Sequence, residues 1–182
     1  MNEREKLYLA HLDKLAGEGR RLVASDDGED PEISLVVFDG VPDDGELTAF
    51  SYGLSLYDHK EWVGGKPELI ISVRSSDDAW ALAMGECIRA GGAHNLFSLG
   101  SVIDFKVQIS DESEMSAFLV FSNSVLDDGD EVVRLGNERI NLIQLYPVHA
   151  SEIPVIRKIG AEAFFFDRDI DFNNVKRNPV DS

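Results

Sequence analysis

The chain has 182 residues, of which 43% are hydrophobic, and a chain of this length favours one globular domain that buries roughly 70% of its unfolded surface. Its net charge of −17 argues against direct binding to nucleic acid, because neutralising phosphates requires a basic face. It has no apolar run as long as the roughly 18 residues of a membrane span, and its single cysteine, Cys87, excludes a disulfide framework or a thiolate metal site.

The N-terminal region predicts an amphipathic helix over residues 3–16. Tyr8, Leu12 and Leu15 share one stripe, charged residues occupy the other positions, and two glycines follow. A polar, turn-rich connection is expected at residues 26–31. The first six residues lack the apolar segment of a secretory signal, so we expect a cytoplasmic protein.

Five apolar segments of strand length predict one mixed sheet. The link between the first two is short, which favours an antiparallel pair. The segments are Ile33–Phe38, Leu47–Leu54, Glu68–Arg74, Ala117–Ser122 and Ile140–Tyr146.

The longest apolar run lies between Ile140 and Val148 and is typical of a central strand that is covered on both faces. Pro147 is expected to end this strand, because proline cannot donate to a strand ladder. Ser151 then offers an N-cap oxygen to a following helix, and Glu152 would complement the dipole of that helix.

A helix in the middle of the chain is predicted to start at Ser75 or Ser76, either of which offers an N-cap oxygen. Cys87 falls on its apolar face, so we expect an inert, packed thiol. That face consists of Trp80, Ala83, Met84, Cys87 and Ile88.

Shorter elements complete the prediction. Residues 96–109 are expected to form a loop leading into a short strand, and Glu131–Leu135 follows a tight acidic turn. Ala161–Phe166 continues the terminal helical region. Residues 167–182 form a polar tail in which Phe172 is the only large apolar anchor.

This order of elements predicts an α+β fold, because strands come first, one helix follows, and further strands precede the terminal helices. We expect a single domain over residues 1–182. Its central sheet should be mixed and mostly antiparallel, with helices packed on it in α/β/α-like layers.

The sequence shows no pattern that predicts catalysis, a cofactor or a metal site. The acidic clusters at 127–130 and 167–171 do not match a calcium loop, and the four histidines lack the spacing of zinc ligands. Asp58 and His59 could form a base and its partner, but no nucleophile is indicated near them. An enzyme whose site is assembled from distant positions therefore stays open as an alternative.

Four sequence blocks, in this order and spacing, resemble the suppressor of fused domain family. The first is Gly53-Leu54-Ser55 followed by a strand that opens with Glu68-Leu69, and the second is the turn Ile109–Ser116. The others are Leu142–Glu152, with a glutamate five residues after its proline, and Arg177–Val180, where a proline replaces the usual serine.

The resemblance implies a non-enzymatic, protein-binding domain. Animal members sequester transcription factors in Hedgehog signalling and carry a second domain, whereas single-domain relatives are mostly bacterial and are thought to act as immunity proteins against polymorphic toxins, often nucleases. Tyr57 matches a tyrosine that lies near the peptide-binding site of animal relatives, although the loop here is one residue shorter. The resemblance thus indicates Tyr57 as a partner-binding residue, and we predict that Asp58 and Trp62 on the same loop bind the partner with it. The alternative for Tyr57 is an ordinary half-buried loop aromatic.

The strong negative charge is consistent with solubility alone or with a basic protein partner. Together with the resemblance, it leads to the hypothesis of a bacterial immunity protein whose partner is a basic toxin domain, with no nucleic-acid or membrane partner. A regulatory or scaffold protein that binds an endogenous partner is the other non-enzymatic interpretation.

Overall fold

The computed structural model describes residues 2–24, 33–91, 94 and 97–180, so the turn-rich connection expected at residues 26–31 lies outside the described residues. The helices are α1 (Glu3–Ala16), α2 (Ala79–Gly91), α3 (Ile153–Ile159) and α4 (Ala161–Phe166). The strands are β1 (Arg21–Ala24), β2 (Ser34–Asp39), β3 (Leu47–Tyr52), β4 (Lys66–Val73), β5 (Val102–Asp104), β6 (Ala117–Phe121), β7 (Val132–Leu135) and β8 (Glu138–Val148).

All eight of these strands belong to one sheet, in the order β1-β2-β3-β4-β8-β6-β5, with β7 paired to β8. The β4–β8 pair is parallel, and the other pairs in the described part of the chain are antiparallel. The five predicted strands all lie in this sheet. The mixed, mostly antiparallel α+β fold is therefore confirmed, although β1 was not predicted.

The helices cover both faces of the sheet. Even-numbered residues of β8 point to one face, where Ile140 and Leu142 pack in one cluster with α1 and Tyr146 and Val148 pack in another with α3 and α4. Leu145 points to the opposite face and packs in the cluster that contains α2. The arrangement is the predicted set of α/β/α-like layers.

Two predicted strand ends were wrong. β3 ends at Tyr52, and residues 54–56 form a 3-10 turn. β8 runs through Pro147, which lies opposite Phe118 of β6. Proline fits here because β4 pairs only with residues 140–144 of β8, so Pro147 has a strand partner on one side alone and no ladder bond needs its missing N–H.

The expected helix starts were also wrong. The Ala79 N–H donates to Asp77 Oδ1 at 3.0 Å, whereas Ser75 Oγ accepts from the Asp77 N–H and donates to Glu112. Near α3, residues 150–152 form a 3-10 turn, and Ser151 makes no helix cap. Glu152 stands directly before α3, as expected, but its side chain is completely buried.

The buried Glu152 carboxylate binds the end of the chain. Arg177 donates to its two oxygens at 2.5 and 2.8 Å, and the N–H groups of Val180 and His149 each donate at 2.9 Å. Burial alone would raise the pKa of Glu152, but the hydrogen bonds from Arg177, Val180 and His149 hold that pKa below its ordinary value. The segment after α4 is thereby fixed to the end of β8.

The segment expected to be a polar tail also contributes to the core. Phe172 is buried as expected and stacks on Phe165, with 4.7 Å between ring centroids. Val175 is a second buried apolar residue, and its carbonyl accepts a 2.5 Å hydrogen bond from Ser113 Oγ. None of the helices described here is both long and apolar enough to cross a membrane.

We predict that Trp80→Ala lowers the free energy of unfolding by about 3–5 kcal/mol, because a fully buried indole is replaced by a cavity. Urea unfolding followed by circular dichroism measures this loss. Leu82→Ala on the same helix is the control, since Leu82 is 39% exposed. An equal loss in both variants would contradict the central place of Trp80 in the core.

We further predict that Arg177→Gln lowers the free energy of unfolding by about 3–5 kcal/mol at pH 7, because it leaves the Glu152 carboxylate buried without its cation. The folded-state pKa of Glu152 in the parent protein lies below the unfolded value, so its contribution is complete above that unfolded value, near pH 4.3, and is lost as the pH falls.

The difference in free energy of unfolding between the parent protein and Arg177→Gln should therefore shrink below about pH 4, where Glu152 of the variant becomes neutral at little cost. Urea titrations at pH 7 and pH 3.5 measure the gap. Lys158→Gln removes the same charge from an exposed position on α3 and should have little effect at either pH. A gap that is constant with pH would show that Arg177 acts through packing alone.

Candidate protein-binding site

The loop that contains the predicted binding residues begins with a tight turn after β3. Gly53 has φ = 131°, a conformation that residues with a side chain rarely adopt. Leu54–Leu56 then form the 3-10 turn, and Tyr57 is extended. The chain next runs outside the sheet until it enters β4 at Lys66. The turn thus sets the direction in which the loop leaves the sheet.

A buried carboxylate, that of Glu68 on β4, holds this turn. Its Oε1 accepts from the Gly53 N–H at 2.9 Å, from the Ser55 N–H at 2.9 Å and from Ser55 Oγ at 2.6 Å, while its Oε2 accepts from Ser51 Oγ at 2.5 Å. Glu68 has no exposed surface. A buried carboxylate is costly unless it is well hydrogen-bonded, so these four bonds fix the turn to the sheet.

Helix α1 supports the same turn from its own side. Arg4 donates to Ser55 Oγ at 2.8 Å, and Tyr8 donates its hydroxyl to the Ser51 carbonyl at 2.8 Å. Burial raises the pKa of Tyr8 well above its ordinary value, and the negative charge of Glu68 adds to this shift. The Tyr8 hydroxyl therefore stays a donor, and α1, β3, β4 and the turn form one connected polar network.

The structure places Tyr57, Asp58 and Trp62 on this one loop but gives them different surroundings. Tyr57 and Trp62 are half-buried and pack against the core cluster that contains α2. Asp58 is almost fully exposed, and its carboxylate accepts a 2.7 Å bond from Lys66, which lowers the pKa of Asp58. The Trp62 Nε1–H is buried and has no hydrogen-bond partner within the described chain.

Two exposed aliphatic residues on the loop were missed by the sequence analysis. Leu56 is 40% exposed and Val63 is 89% exposed. No periodicity marks them, because they lie in a short 3-10 turn and in the loop that follows it. With Tyr57 and Trp62 they give the loop four large apolar side chains that are wholly or partly accessible to a partner.

The second glycine of the pair at 64–65 has a packing role. A Cβ atom on Gly65 would lie 2.6 Å from Asn141 Nδ2 and 3.0 Å from the Arg139 carbonyl. The C-terminal end of the loop therefore passes directly against β8.

The loop does not assemble the acid–base pair that Asp58 and His59 could form. Asp58 pairs with Lys66, and His59 Nδ1 accepts from the Glu61 N–H at 3.1 Å. Elsewhere, burial raises the pKa of the Cys87 thiol to about 12, which leaves it protonated. No group of three or more His, Cys, Asp or Glu side chains in the described ranges is arranged to hold a metal ion.

Another groove lies away from this loop, between residues 99–102 and helices α3 and α4. Its volume is about 740 Å³, and its charged lining residues are Arg157 and Glu162. The loop after β3, in contrast, presents an accessible apolar surface on a turn that Glu68 holds in place, which suits binding to another protein.

Comparison with known proteins finds one family that this chain matches. A sequence model described as "Suppressor of fused protein (SUFU)" matches residues 29–178. Those residues include Glu68, Glu152 and Arg177, so the buried junctions that hold the loop and the end of the chain fall inside the matched region. No curated protein is significantly similar in sequence.

Solved structures of that family share the fold. A suppressor of fused homologue from Neisseria gonorrhoeae is 16% identical, with a TM-score of 0.78, and the alignment covers 97% of this chain and 96% of that one. A chain of the Sufu–Fu complex is 17% identical, with a TM-score of 0.69, and the alignment covers 95% of this chain and 90% of that one. Drosophila Suppressor of Fused is 18% identical, with a TM-score of 0.68, and 96% of this chain matches half of that one.

We predict that Glu68→Gln lowers the free energy of unfolding by about 2 kcal/mol or more, because an amide NH₂ would face donors that now bind a carboxylate oxygen. Chemical unfolding measures the loss, and the fluorescence of Trp62 in a Trp80→Phe background reports whether the loop has moved. Asp58→Asn is the control, since it changes an exposed carboxylate of the same loop. Equal stability of the two variants would show that Glu68 does not hold the turn.

Proposed function

The chain belongs to the suppressor of fused family, and from that membership we propose that it is a non-enzymatic domain that acts by binding another protein. The proposed contact residues are Tyr57, Asp58 and Trp62, together with Leu56 and Val63 on the same loop. No cofactor takes part in this function, and the site of action is the cytoplasm.

The observation that carries the proposal is an apolar loop on a rigid support. Binding energy at protein interfaces concentrates in a few residues, and Tyr and Trp are enriched among them. A loop fixed at both ends, by Glu68 and by the contact of Gly65 with β8, has little conformational entropy left to lose when it binds. The Sufu–Fu structure is, by its name, a complex, and it supports protein binding as a use of this fold.

The proposed partner is a basic toxin domain, such as a nuclease, which this chain neutralises as a bacterial immunity protein. The formal charge of −17 supports a basic partner, because opposite charges steer two proteins together and speed their association. The homologue from Neisseria gonorrhoeae supports a bacterial setting for the fold. A regulatory protein with an endogenous basic partner would use the same loop and the same charge.

Co-expression tests the immunity role directly. The C-terminal domain encoded by the reading frame next to this gene is expressed in a bacterial host, with and without the present chain. We expect the domain to stop growth alone, and we expect this chain to restore growth and to co-purify with the domain. A Tyr57→Ala, Trp62→Ala variant that still folds should fail to restore growth. Co-purification with a harmless neighbour would favour the regulatory alternative, and no binding would contradict the immunity proposal.

Association kinetics test the role of charge. At low salt we expect an association rate constant on the order of 10⁸ M⁻¹s⁻¹, falling at least about tenfold at high salt, while dissociation changes little. Tyr57→Ala should instead raise the dissociation rate constant, and it should do so at every salt concentration. Stopped-flow mixing measures both constants. An association rate that does not change with salt would mean that the charge serves solubility alone.

A further inference from the structure

An apolar pocket of about 330 Å³ lies at the C-terminal end of α1, away from the loop described above. Its volume is near the lower end of the roughly 300–1,000 Å³ range of ligand pockets, which suits one large apolar side chain. Three segments supply most of its lining, through Leu15, Ala16, Val41, Pro42, Val125 and Leu126.

Hydrogen bonds fix the loops that form the pocket. Thr48 donates its hydroxyl to the Val41 carbonyl at 2.7 Å. Asn123 Oδ1 accepts from the N–H groups of Val125 and Leu126, each at 2.8 Å, which is the side-chain turn that asparagine favours. The pocket is therefore preformed.

Four exposed aspartates follow the pocket-lining residues directly. Asp43 and Asp44 come after Pro42, and Asp127 and Asp128 come after Leu126. Within the described chain, the structure gives their carboxylates no hydrogen bond or ion pair, whereas the exposed carboxylate of Asp39, for example, is offset by Arg21 at 2.7 Å. Lys14, beside Leu15, is a cation in the same neighbourhood.

The end of α1 adds to the negative potential. Leu15 and Ala16 are the last two residues of this 14-residue helix. Carbonyl groups in the last turn of a helix lack helical partners and give this end a partial negative charge, which favours cations. The pocket is thus apolar inside and surrounded by negative charge.

We propose that this pocket is a second docking site, which takes one apolar side chain from a cationic segment of the partner protein, while lysines or arginines on either side of it meet the four aspartates. The inference rests on the proposed function only in taking the partner to be a basic protein. The two sites are distinct. The pocket lies at the start of β3 and the loop follows its end, so they are separated by roughly the 17–20 Å length of a short strand.

A short synthetic peptide serves as the probe. It has capped ends and one leucine between two pairs of lysines. Titrated into the isotopically labelled protein at low salt, it should give saturable NMR shifts at Ala16, Val125 and Leu126. A peptide with lysine in place of the leucine should bind at least about tenfold more weakly, because it lacks the group that fills the pocket.

Two charge variants show whether location matters. The first variant carries an asparagine in place of each of the four aspartates beside the pocket (Asp43→Asn, Asp44→Asn, Asp127→Asn, Asp128→Asn). It should bind the peptide about tenfold or more weakly. The control variant removes an equal number of negative charges from exposed positions elsewhere (Asp111→Asn, Glu114→Gln, Asp167→Asn, Asp169→Asn). It should change the affinity far less. Ala16→Leu, which fills the pocket without altering charge, should abolish the shifts, with thermal unfolding as the check on folding.

Tyr57→Ala separates this inference from the proposed function, since it should leave peptide binding unchanged whether or not the loop binds a partner.

Three results would overturn the inference. They are no shift at the pocket residues, equal losses in the two charge variants, or equal binding of the two peptides. The last two would show that the acidic surface attracts cations diffusely and that the pocket takes no part.

Discussion

The burial of the Glu68 carboxylate constrains the candidate binding site more than any other contact. β4 lies at the centre of the sheet, between β3 and β8, and the Glu68 side chain on it has no exposed surface. Its charge must be satisfied by nearby donors, and these donors belong to Ser51, Gly53 and Ser55. The turn after β3 therefore cannot move without leaving a charge unpaired in the core, and the direction of the loop follows from that requirement.

Similar junctions explain why the family resemblance could be found in a chain with so little sequence identity to its structural relatives. Gly53-Leu54-Ser55 and Glu68 are separate parts of the first sequence block and form one network in space. Glu152 and Arg177, from two other blocks, form one buried ion pair. Apolar core positions accept several residue types of suitable volume, whereas a buried carboxylate requires particular donors at particular places.

The sheet could be predicted from the sequence because each central strand is an apolar segment whose signal is local. The segments at 33–38 and 117–122 matched β2 and β6 almost to the residue. The interpretation failed where a distant partner decides the structure. Ser151 and Glu152 have the pattern of a helix start, and helical structure does begin there, but Ser151 makes no cap and the glutamate binds Arg177, a contact that only the folded chain shows. On the loop, Tyr57 could be proposed through the resemblance, whereas no sequence pattern marks Leu56 and Val63.

The physical difference between the two surfaces indicates how they could share one partner. The loop offers half-buried aromatics on a fixed turn, which suits close packing and slow dissociation. The pocket offers a small apolar volume beside four unpaired aspartates, which suits long-range attraction and then a single anchor. They lie at opposite ends of β3, which is hydrogen-bonded along its length to β2 and β4. Because the sheet fixes the distance between them, a folded partner that fits both would gain affinity from simultaneous binding, whereas an unrelated basic protein would fit only one.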